Sequence, residues 1–137
     1  MKPSYTFIDH TADMLFKAQA PTLNELFRQC ALALEDIQVN IQLIKPKLTK
    51  VIKGRNKQID RLLFDFLDDL IFYKDSELLI FSEFEIKITE KNHEFTLTCT
   101  AKGEKLDYQK HEPKVDAKAI TMHLFEVKKT ARGWTAQ

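Results

Sequence analysis

"FEIKITEKNHEFTLTCTA", residues 84–101, reads as two strands joined by a turn. Phe84, Ile86 and Ile88 alternate with Glu85, Lys87 and Thr89. "KNH" breaks the alternation, and Phe95, Leu97, Cys99 and Ala101 then alternate with Thr96, Thr98 and Thr100. A period of two sends apolar and polar side chains to opposite faces. The stretch therefore predicts an antiparallel hairpin with one buried face and one wet face. The buried face needs a cover, and the rest of the chain offers two helices.

"PTLNELFRQCALALEDI", residues 21–37, has the Thr22–Glu25 spacing of a capping box. Leu23, Leu26, Phe27, Cys30, Ala31, Leu34 and Ile37 follow at helical spacing as one apolar stripe. A second helix is predicted over residues 58–74, with Ile59, Leu62, Leu63, Phe66, Leu67 and Leu70 on its stripe. Phe64, Ile71 and Phe72 widen that stripe, while Asp60, Asp65, Asp68 and Asp69 mark the polar side.

Before and between these lie further strands. "YTFID" and "MLFKAQA" read as a pair, with the bend at residues 10–13. "VNIQLI", residues 39–44, alternates like a half-buried strand, and "KLTKVIK" is expected to be the second strand of the same ribbon. "AKAITMHLFEV" reads as a long strand with apolar residues on both faces; "KKTARG" turns, and "WTAQ" begins a partner strand that ends at Gln137 and is expected to be cut short. The prediction is an α+β sandwich in which antiparallel or mixed sheets pack with two amphipathic helices, residues 1–137 forming a single domain.

The chain has 137 residues, 44% hydrophobic and 30% charged, which fits one folded domain rather than a disordered chain. Cys30 and Cys99 are far apart inside apolar patterns, so they read as small core residues rather than a disulfide or zinc site. No apolar run is long enough to span a bilayer and no signal peptide is evident, so the expected compartment is the reducing cytoplasm.

The densest chemistry is in "IDHTADMLF", where Asp9, His10 and Asp13 lie within five positions. Such residues commonly satisfy loose amides in a bend. They also offer hard oxygen donors to calcium or magnesium, although two carboxylates do not fill six or more positions. Further oxygens would have to come from a neighbouring strand end. A basic run, "KPKLTKVIKGRNK", carries Lys45, Lys47, Lys50, Lys53, Arg55 and Lys57 without an acid. It reads as a lysine-protected edge strand, a phosphate-contacting strip, or a face for an acidic protein. His93 falls in a turn and reads as solvated, whereas His111 and His123 lie in less obvious settings. No phosphate-cradling glycine loop, nucleophile elbow or zinc-spaced cysteine pair occurs.

"DHTAD" followed by "PTLNELFRQCALAL", then "LLFDFLDDLIF", "GEKLD", "HEP", "KAITMHLFEV" and "GW", resembles the archease family in order and spacing over nearly the whole chain. The resemblance implies an archease-like sandwich and a small cytoplasmic accessory protein rather than an enzyme. Its partner would be the RtcB-type RNA ligase of tRNA splicing and RNA repair, whose guanylylation and multiple turnover it would promote, with tRNA or other RNA contacted through the ligase. It also implies a divalent metal, calcium in some members, with Asp13 as a ligand and Asp9 and His10 in support. The family's second ligand aspartate, at the end of a final strand, has no counterpart here. Two other readings are open: a chaperone-like modulator of RNA-modifying enzymes, and a stand-alone metal-dependent phosphohydrolase using Asp9, His10 and Asp13.

Overall fold

The computed structural model describes residues 1–9, 14–107, 109–111, 127–130 and 133–136. In chain order the elements are β1 (Ser4–Asp9), β2 (Met14–Ala20), α1 (Leu23–Gln38), β3 (Leu48–Asn56), α2 (Ile59–Glu77), β4 (Leu79–Lys91), β5 (Glu94–Lys105), β6 (Val127–Thr130) and β7 (Gly133–Ala136). A single 3₁₀ turn, Ile41–Leu43, lies between α1 and β3. The strands form two antiparallel sheets, one in the order β1-β2-β7-β6 and the other β3-β5-β4.

The hairpin at residues 84–101 is as predicted and extends beyond that stretch at both ends. Lys91 pairs with Glu94. Asn92 and His93 between them have φ of 55° and 61°. Two consecutive left-handed residues make the turn whose twist matches that of the flanking strands. On the inner face Phe84, Leu97, Cys99 and Ala101 are buried.

Helix α1 begins where the capping residues place it, with the Thr22 hydroxyl accepting from the Glu25 amide at 3.2 Å. It packs against β1, β2 and β7 of one sheet and β4 of the other, so it bridges the two. Helix α2 covers the inner face of the three-stranded sheet and touches α1. Phe27 of α1 stacks on Phe66 of α2 at 6.2 Å between centroids, and Phe66, Phe84 and Phe81 continue the aromatic chain edge to face. One apolar cluster draws on both sheets and both helices, from Ala18, Ala20 and Ala136 to Ile52, Leu97 and Cys99. Cys30 and Cys99 are free and buried in it, as expected. Burial raises both thiols, Cys99 to about 12.

Four expectations are corrected. Residues 39–44 are not a strand: Asn40 caps the 3₁₀ turn, its side chain accepting from Gln42 N at 3.2 Å. Val39 and Ile44 plug a small cluster with Ile80. Alternating apolar residues serve such a plug as well as they would serve a sheet. Strand β3 accordingly has no ribbon partner there and pairs with β5 instead, Ile52 opposite Cys99. Lys128–Thr130, expected in a turn, extend β6, whose Val127 faces Ala136 of β7. Helix α2 runs on to Glu77, three residues past its predicted end. Of the long strand expected at 117–127, only Val127 is among the described residues.

The strand expected at "WTAQ" is present as β7. β7 lies between β6 and β2, with Ala136 opposite Ala18 and Trp134 opposite Ala20. Gly133, at φ 150°, lets the start of β7 lie against the end of β2: a Cβ there would stand 2.4 Å from Ala20 O.

Candidate functional site

The first candidate site is the bend between β1 and β2. Asp9 ends β1, its backbone opposite Met14. His10 and Asp13, and the Asp9 side chain, lie outside the described residues. The framework around them is described. Because β7 runs antiparallel to β2, passing from Trp134 opposite Ala20 to Ala136 opposite Ala18, its direction leads toward the Met14 end of β2. A segment from late in the sequence is thereby aimed at the bend that carries Asp9, His10 and Asp13. Among the described residues no group of three His, Cys, Asp or Glu side chains is placed to hold a metal ion.

A second assembly was not legible as a site. Glu104, in "GEKLD", is 7% exposed and His111 is fully buried. Glu104 Oε2 accepts from the Lys45 amide at 2.7 Å and from His111 Nε2 at 2.9 Å, and Lys110 Nζ reaches both carboxylate oxygens at 2.8 and 2.9 Å. The Asp107 amide donates to His111 Nδ1 at 2.8 Å. An amide can only donate, so Nδ1 is bare and Nε2 carries the proton given to Glu104. Burial works against charge on Glu104, but the hydrogen bonds from His111, Lys110 and the Lys45 amide outweigh it and hold the carboxyl at about 2. The His111 carbonyl accepts from Asn40 N at 3.3 Å. The cluster thus pins the start of β3, the 3₁₀ turn and residues 104–111 together. An open groove flanked by Lys47, Leu48, Lys105 and Lys110 lies over it. With both ring nitrogens engaged and the ring out of solvent, His111 positions chain rather than moving protons. Gly103 makes the arrangement possible, since a Cβ there would fall 1.8 Å from Ile80 O. His111 stood out in sequence, but its partner did not.

The basic run does not form one strip. Lys45 contributes its backbone to Glu104, and Lys47 Nζ stands 3.9 Å from the same carboxylate. Lys50 turns toward α2, 3.5 Å from Glu77 and 5.0 Å from the Tyr73 ring centroid. Lys53 and Arg55 point to the outer face of the sheet, Arg55 lying 3.5 Å from Glu94. Lys57 is exposed in the turn before α2. Strand alternation divides the run between faces. His93 is exposed at its turn, as expected, while His123 lies outside the described residues.

Glu35, in the last turn of α1, is fully buried, and among the described residues no donor reaches either carboxylate oxygen in good hydrogen-bond geometry. Burial pushes it up to about 8 against the opposing pull of the Phe81 amide and Lys74. The negative pole of the helix end works in the same direction as burial.

The model of the Archease protein family (MTH1598/TM1083) matches residues 5–137. The chain belongs to the archease family. Protein archease of Pyrococcus furiosus is 39% identical over 130 residues, spanning 94% of this chain and 92% of the relative. That of Methanosarcina barkeri is 34% identical over 134 residues, 97% and 92% of the two chains. The solution structure of protein 1598 from Methanobacterium thermoautotrophicum superposes with a TM-score of 0.85 at 33% identity, covering 96% of this chain and 94% of that one. The crystal structure of an archease, possible chaperone, from Thermotoga maritima gives 0.60 at 19% identity and shares the fold, covering 94% and 90%. The α+β sandwich read from the sequence is thus the archease fold.

Proposed function

We propose that this protein is a metal-dependent accessory protein that activates an RtcB-type RNA ligase in tRNA splicing and RNA repair, promoting guanylylation of the ligase and its multiple turnover. The observation that carries the reading is the course of β7, which runs beside β2 toward the β1–β2 bend. Family membership supports it. Asp13 is assigned as the metal ligand, with Asp9 and His10 shaping and supporting the bend. Carboxylate oxygens in a short bend suit a hard cation such as calcium, the remaining positions being filled by main-chain oxygens and water. Such a cation would supply fixed positive charge for a phosphate or a ligase carboxylate. The chain's own residues fix the two strands that flank the bend: β1 pairs with β2 over its whole length, and β2 is backed by α1 and β7. Protein–protein contact is the route of action, with tRNA engaged by the ligase.

The test is multiple-turnover ligation by a cognate ligase with and without the protein. The intact protein raises turnover and guanylylation, and Asp13→Ala returns both to the unassisted level with the fold retained. Full stimulation by Asp13→Ala would remove the metal site from the reading. A chaperone-like adaptor is the second reading; the exposed Val51 and Phe72, 53% and 59% accessible, are the observation favouring it. It requires protection of client enzymes from aggregation that is indifferent to Asp13. Chelator-sensitive phosphodiester hydrolysis by the protein alone would replace both readings with the phosphohydrolase.

A further inference from the structure

The outer face of the three-stranded sheet is exposed from edge to edge. The register sets its side chains in rows. Lys53, Thr98 and Lys87 form one, and Arg55, Thr96 and Thr89 the next. Lys91 and Glu94 follow at the hairpin end. All but the half-buried Glu94 are exposed. This half of the face carries four basic side chains and one acid, Glu94, which Arg55 already engages at 3.5 Å. The opposite half is different in character: Glu83 faces Lys102, and Glu85 faces Thr100. Charge on the face is therefore segregated rather than scattered, although the net charge of the chain is only +1.

We propose that the hairpin half of this face binds the phosphate backbone of double-helical RNA without reading its sequence. Rows recur about 6.8 Å apart along a strand, a spacing close to that of successive phosphates. Lysine and arginine ends with threonine hydroxyls between them are the donors that phosphate and sugar contacts use. The rows contain no aromatic residue, so unpaired bases would find only the Arg55 guanidinium, already engaged by Glu94, to stack on, and a single strand is the poorer ligand. Three strands side by side offer neither the helix nor the two-stranded ribbon that a B-DNA major groove admits. An A-form duplex, by contrast, offers a wide, shallow minor groove with 2′-hydroxyls and flanking phosphates to such a surface. An acidic protein would match the charge and could also accept from the threonines, and it is separated from RNA by the ligase readout below. The proposal is independent of the ligase reading, because the surface lies on the other sheet from the β1–β2 bend.

The experiment is fluorescence anisotropy of a short labelled RNA duplex titrated with the full chain alone at several salt concentrations. Binding is expected to weaken with salt along a log–log slope of about −3, corresponding to three or four phosphates. Lys53→Glu/Lys87→Glu should lower affinity more than tenfold and flatten the slope by about 2. Lys53→Gln/Lys87→Gln, the gentler pair, should act in the same direction to a smaller extent, and circular dichroism should show both variants folded. Lys45→Glu, at the opposite end of the basic run, should leave affinity nearly unchanged. The proposal is overturned if the double variants bind as the parent does, if binding ignores salt, or if single-stranded RNA or B-form DNA binds as well as the duplex. Unchanged RNA affinity together with lost ligase stimulation would also overturn it, assigning the face to a protein partner.

Discussion

Glu35 and Glu104 are two buried glutamates with opposite electrostatics. Glu104 accepts several donors and is held at about 2, below its ordinary 4.5. Its hydrogen bonds therefore stabilise the fold fully above pH 4.5, and that contribution is lost as pH falls toward 2. Glu104→Gln should flatten the acid limb of a denaturation-against-pH curve and, by leaving Lys110 and the Lys45 amide with a weaker acceptor, cost about 2–4 kcal/mol at neutral pH. Glu35 has the reverse sign. Raised from 4.5 to about 8, it holds a proton in the folded state that the unfolded chain has released. Stability therefore falls as pH rises between those two values and levels off above the upper one. Glu35→Gln should remove this slope, gaining about 3–4 kcal/mol over the parent on going from pH 5 to pH 8. Urea unfolding at the two pH values measures it; an unchanged slope would assign the pH dependence elsewhere.

Among the elements, the end of α2 and the β4–β5 contact each depend on one backbone position. Leu78 closes α2 in the left-handed region at φ 56°, where its amide reaches the Lys74 and Tyr73 carbonyls, and its side chain is 45% exposed. A glycine has no Cβ penalty there, so Leu78→Gly should stabilise the protein by about 0.5–1 kcal/mol in thermal melts. Gly103 is the opposite case. Any Cβ would strike the Ile80 carbonyl next to the irregularity at Phe81/Glu83. Gly103→Ala should cost about 3 kcal/mol or more by prising β5 from β4. It should also displace Glu104 from His111, which the His111 ring resonances would report. These cases mark what was legible in the sequence. The hairpin at 84–101 and both helices were readable because periodicity depends only on which residues face a core. The partner of β3 was not, since Ile52 can pair with any strand of suitable pattern and the choice is made by tertiary packing. The plug at 39–44 was misread because Val39, Ile41 and Leu43 satisfy two templates. Asp9, His10 and Asp13 stood out as chemistry because they are close in sequence. Glu104 and His111 became a pair only once the Gly103 contact and the turn at 107–111 had been made.

For the molecule as a whole, the two sheets share one core through α1, so damage to either should be felt by both. Phe66, fully buried against Phe27 and Phe84, sits where both helices meet the hairpin. Phe66→Ala should cost about 3–5 kcal/mol and lower the unfolding midpoint recorded by probes in either sheet together. Separate transitions for Trp134 fluorescence and far-ultraviolet dichroism would show that the sheets unfold independently.

Strand β7 occupies an interior slot between a neighbour near it in sequence and one from the opposite end of the chain. While the polypeptide emerges from the ribosome, β2 must wait with its edge open until β7, more than a hundred residues further on, has been made. Among the described strand pairings this one spans the greatest sequence separation, so it should fall late in folding and slow the final step. Until then a nascent chain displays a hydrogen-bonding template to its neighbours, and conditions that favour aggregation should act most strongly in that interval.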